Sequence, residues 1–171
     1  MGEAAMKLIG ITFFSLIPLL LSYRVGEELR RTVSRREAFL KLLLRLQFQI
    51  ENFSRDQKEI FQGFDSGILR KTPFYEDLLS ELNRTPSGAF ACAWKRHGAL
   101  FAFDSESMEL LDTFASHFGF LEKRAQLSEL DSVIRHLEKK EAIRKAEWEN
   151  KVKILRISGI TAGLGIFILL I

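Results

Sequence analysis

The sequence predicts an all-α protein, an antiparallel bundle of about six helices flanked by an N-terminal and a C-terminal transmembrane helix. Three observations predict this. Apolar side chains recur at helical spacing in both long polar stretches: Phe39, Leu43, Leu46, Ile50 and Phe53 in one, and Leu127, Leu130, Ile134 and Leu137 in the other. No alternating run is long enough for a strand, apart from the weak "ALFAF" at 99–103. Two uncharged runs, at 8–23 and 157–171, enclose nearly all the charge. The organisation read from this is a membrane helix at 7–23, a helical-bundle domain at 24–156 and a second membrane helix at 157–171.

In the first segment, "LIGITFFSLIPLLLSY" lies between Lys7 and Arg24. Pro18 suits a membrane helix better than the interior of a soluble one. A cleaved secretory signal is the competing reading, but "LLLSYRVGEELRR" offers no small-residue cleavage site.

The domain opens with "EELRRTVSRREAFLKLLLRLQFQIENF", whose apolar stripe must pack on a partner. Shorter helices follow. One runs over 56–64 and ends near Gly63 and Gly67; one over 73–82 has Thr72 as N-cap and Pro73 at its first position; one over 87–96 stops at Gly98. The helix over 105–118 carries Met108, Leu111, Ala115 and Phe118 on one face and stops at Gly119. Phe39, Phe53, Phe61, Phe64, Phe90, Trp94, Phe101, Phe114 and Phe118 are read as the core. The last long helix begins near Arg124. It becomes an exposed stalk with Glu141–Lys145, Glu147–Lys151 and Glu149–Lys153 at i,i+4, and with Trp148 as an interface anchor or partner contact.

The closing "ISGITAGLGIFILLI" has fifteen residues and no charge. As a helix it rises about 22 Å against a hydrocarbon core of roughly 30 Å, so Ile154 and Leu155 must lengthen it while Arg156 snorkels to the headgroups. A shallow interfacial helix is the alternative. Gly159 and Gly163 form a GxxxG, a weak motif on its own, beside Ser158 and Ala162, and this small-residue surface permits close helix packing in lipid.

The flanks set the topology. Arg24, Arg30, Arg31, Arg35 and Arg36 follow the first run, and Lys151, Lys153 and Arg156 precede the second, which places both termini outside and the domain in the cytoplasm. The cluster of Arg30, Arg31, Arg35 and Arg36 reads functionally as a contact for anionic lipid or an acidic partner, and more simply as the topology signal of a membrane helix.

Chemistry is conspicuous by its absence. With 47% hydrophobic and 27% charged residues the composition is globular, and a net charge of +3 makes no case for nucleic acid. There is no phosphate-binding glycine motif, no metal-ligand spacing among His97, His117 and His136, and no small-molecule or cofactor signature. Cys92, the single cysteine, reads as a small buried hydrophobe. Acid pairs such as Glu106 with Glu109 suit helix starts. No enzyme is expected.

With these features the chain resembles the stage III sporulation protein AB family. The resemblance rests on "MKLIGITFF", on "FGFLEKRAQLSELDSVIRHLE", and most specifically on "KAEWENKVKILR" with "ISGITAGLGIFILLI". It implies a membrane subunit of the channel-like complex between mother cell and forespore, on the mother-cell side, similar to the F-type membrane platform proteins of type II secretion and their six-helix bundle. The partners it implies are a cytoplasmic secretion-type ATPase and other membrane subunits, in a homo- or hetero-oligomer. The alternative is a membrane-tethered helical adaptor or signalling module that binds anionic lipid or a cytosolic partner.

Overall fold

The computed structural model describes residues 2–53 and 57–170, with side chains outside the described set for 2–15, 19, 146, 148, 149, 152, 156, 163, 166, 167, 169 and 170. Among the described residues six α-helices follow one another: α1 (Gly2–Phe53), α2 (Gln57–Gln62), α3 (Pro73–Arg84), α4 (Ala89–His97), α5 (Ser105–His117) and α6 (Lys123–Leu170), with short 3-10 turns before α3, α4 and α5. No strand occurs among the described residues. The chain divides into two units: Met1–Arg31 with Ala142–Ile171, and Thr32–Glu141. The stalk residues after Glu141 therefore belong with the terminal runs.

In the unit Thr32–Glu141, α1 and α6 lie antiparallel. Gln47 donates to Asp131 Oδ1 at 3.3 Å, and farther toward one end of the seam Arg36 faces Glu141 at 3.7 Å. Phe39, Leu43, Leu46 and Ile50 are buried from α1, and Leu130, Ile134 and Leu137 from α6, as the helical spacing requires. Phe39 is the hub. Its ring lies 4.6 Å from Phe101, 5.3 Å from Trp94 and 5.7 Å from Phe74, so α1, α3, α4 and the turn before α5 meet on one side chain. A second aromatic layer joins Phe90, Phe114 and Phe118, with centroids 5.2–5.6 Å apart.

Local sequence explains the helix starts and stops. Thr72 caps α3, its hydroxyl accepting from Tyr75 N–H at 3.4 Å with Pro73 behind it. Asp104 caps α5 by accepting from Ser107 N–H at 2.9 Å. After α5 the chain reverses at Gly119, φ +91°, where a Cβ would lie 2.7 Å from the Ser87 carbonyl oxygen; glycine is required both for the backbone angle and for the space.

Three expectations are corrected. Phe53 is more than half exposed, because its stripe outruns the core that covers Ile50. Cys92 is exposed: α4 is only nine residues long and its inward face is taken by Ala89, Phe90, Ala93 and Trp94. The weak strand at 99–103 is instead a 3-10 turn, Gly98–Phe101, closed by Ala102 in the left-handed region at φ +48°. A lone alternating run has no partner strand, and turning lets Phe101 reach Phe39.

Among the described residues, no helix is long and apolar enough to cross a membrane.

Candidate functional site

The unit formed by Met1–Arg31 and Ala142–Ile171 holds most of the residues singled out by the sequence. A close helix contact in it is at Gly159. This glycine is buried, and a Cβ on it would fall 2.8 Å from Ser22 Cβ and 3.3 Å from the Pro18 carbonyl oxygen, well inside van der Waals contact. Only hydrogen fits there, so the α6 backbone packs directly on the Ser22 side chain and the Pro18 carbonyl of α1 across a small-residue contact. Gly163, its partner in the GxxxG, lies outside the described side chains. Gly165 has open space around it.

Away from that contact the surface of this unit is apolar. Leu16, Ile17, Leu20, Leu21, Tyr23 and Val25 are exposed on α1, as are Ile154, Ile157, Ile160, Leu164 and Ile168 on α6. The hydroxyl of Thr161 is satisfied within its own helix, donating to the Ile157 carbonyl at 2.9 Å, the arrangement a polar group needs when its surroundings accept no hydrogen bond. This is the reverse of the usual distribution of polar and apolar side chains, and exposed apolar area of that continuity marks a surface meant to be covered.

The basic flanks do not form one constellation. Arg24, Arg30, Arg31 and Lys153 are exposed; Arg31 reaches Glu27 at 3.6 Å and Lys151 reaches Glu147 at 3.9 Å, both at i,i+4. Arg156 and Trp148 lie outside the described side chains. Arg36 departs from the expected cluster altogether. Its Nε donates to the Phe101 carbonyl at 2.6 Å, an Nη donates to the Ala102 carbonyl, and its guanidinium lies 5.4 Å from the centre of the Phe103 ring, so it is an internal clamp and not a docking cation.

Several polar groups of the Thr32–Glu141 unit tie its elements together. Trp94 Nε1 donates to Asp112 at 2.6 Å, and Arg96 bridges Asp77 at 2.9 Å and Glu81 at 3.0 Å. Lys140 Nζ joins Glu106 at 2.6 Å; the hydrogen bond from Lys140 holds the Glu106 carboxyl below the ordinary glutamate range, and the same bond raises the lysine. His97 faces Asp77, His117 faces Glu129 and His136 faces Ser107 Oγ, three separate sites. Among the described residues no group of three His, Cys, Asp or Glu side chains is placed to hold a metal ion. Glu106 sits in the first turn of α5, as the sequence predicts, but its partner on α6 was not foreseen.

Sequence reasoning also missed Phe48. It lies on the outward face of α1, 55% exposed, with its ring centre 5.7 Å from that of Phe53. The only signal was its position a half-turn off the apolar stripe.

Nothing among curated proteins or solved structures matches this chain. The family model described as stage III sporulation protein AB matches residues 7–171, from the lysine before the first apolar run to the last residue of the second. With that match spanning nearly the whole sequence, the chain belongs to the stage III sporulation protein AB family.

Proposed function

We propose that this protein is a non-enzymatic, membrane-anchored subunit of the sporulation complex between mother cell and forespore, a platform that docks a cytoplasmic secretion-type ATPase. Family membership supports the place in sporulation. The observation that carries the membrane reading is the inverted unit: apolar side chains point outward from α1 and α6 while Gly159 brings the two helices together on Ser22. In lipid, helices gain nothing from burying apolar side chains against one another, so small residues face inward and large ones outward. The uncharged ends of the sequence, with Arg24 and Arg30 after the first and Lys151 and Lys153 before the second, set both termini outside and the intervening domain in the cytoplasm.

Two measurements test the two halves of the reading. Alkaline carbonate extraction of membranes from sporulating cells leaves the full chain in the pellet if both runs span the bilayer; release into the supernatant would overturn the anchoring. Affinity purification of the full chain from detergent-solubilised sporulating cells recovers the secretion-type ATPase and sister membrane subunits. Recovery of neither would sink the platform reading, and salt-sensitive binding to anionic vesicles in their absence would favour the lipid-binding adaptor instead.

A further inference from the structure

We draw no further inference here: the strongest candidate, the cleft of about 450 Å³ between α4 and α5 lined by Trp94, Lys95, Met108 and Asp112, holds one cation and one acid, so its charge selects no occupant and nothing in the structure shows what covers it.

Discussion

Arg36 and Phe101, 65 residues apart, are joined by a 2.6 Å hydrogen bond from the guanidinium Nε to the backbone carbonyl. The same side chain holds the carbonyl of Ala102, whose left-handed backbone is also tied by its N–H to the Ala99 carbonyl at 3.0 Å, and faces Glu141 on α6 at 3.7 Å. Replacing Arg36 with Leu removes a donor from two carbonyls and the cation that faces a mostly buried carboxylate. The expected cost is about 1.5–3 kcal/mol, read as a lower thermal midpoint of the full chain in detergent. Arg36→Lys keeps the charge but not the forked donors, and should recover only part of it.

At the Gly159–Ser22 crossing even one methyl group is too much. Gly159→Ala puts a carbon within 2.8 Å of Ser22 Cβ, and overpacking of this kind costs about 1–3 kcal/mol. Ser22→Gly in the same chain removes the opposing carbon and should restore most of the loss. A double-mutant cycle on the thermal midpoint measures that coupling, and additive effects would mean that the two residues do not touch.

Tyr75 donates its one hydroxyl proton to the Phe61 carbonyl of α2, with the Phe64 carbonyl just beyond that helix also 3.2 Å away, from a position almost without solvent contact. Tyr75→Phe keeps the ring and removes this hydrogen bond, for an expected loss of about 0.5–1.5 kcal/mol, because the Phe61 carbonyl still accepts from Phe64 N–H and the Phe64 carbonyl from Arg70 Nε. Burial is the main cause that pushes the phenol above its ordinary range, with Arg70 opposing it. Because the folded pKa is the higher one, the contribution is intact below the unfolded value of about 10 and is lost as pH rises through the folded value. Alkaline unfolding of Tyr75→Phe should accordingly be less steep than that of the native chain.

The Lys140–Glu106 pair has its signature at the acid end. Glu106 titrates below the ordinary range, so its contribution is present above the unfolded glutamate value of about 4.3 and is lost as pH falls through the folded value. Glu106→Gln should flatten that part of the stability profile and leave the neutral region nearly unchanged, since the carboxylate is largely exposed and surface pairs are weak. The measurement is the unfolding midpoint of both chains between pH 3 and pH 6; identical slopes would show that the pair is not formed in solution.

Local signals were the most legible. Thr72 followed by Pro73 announced the start of α3 because a cap and its helix are neighbours in sequence, and Gly119 announced the end of α5 for the same reason. Periodicity gave the buried face of α1 but not its extent: Phe53 continues the stripe after the covering elements have ended. Cys92 failed differently, since residue type says little when a nine-residue helix has room for only four inward side chains. Arg36 was beyond reach. A guanidinium that binds backbone carbonyls leaves no pattern in the identities of the residues it binds, and its position among other arginines favoured a surface reading. Gly159 was half legible: its small-residue stripe marked a close contact, but nothing in the sequence named Ser22 as the other side.

The clamp at Arg36 also orders events during synthesis. Phe101 leaves the ribosome 65 residues after Arg36, and Glu141 a further 40 later (141 − 101). At about 5–20 residues per second, some 5–20 s pass between the appearance of the guanidinium and that of its last partner. For that interval α1 stands without the α6 face that its core residues need, and its leucines and Phe39 are open to solvent or to a chaperone. The last helix, which closes the bundle, is also the one that carries the second apolar run, so completion of the domain and emergence of that run follow one another directly in translation.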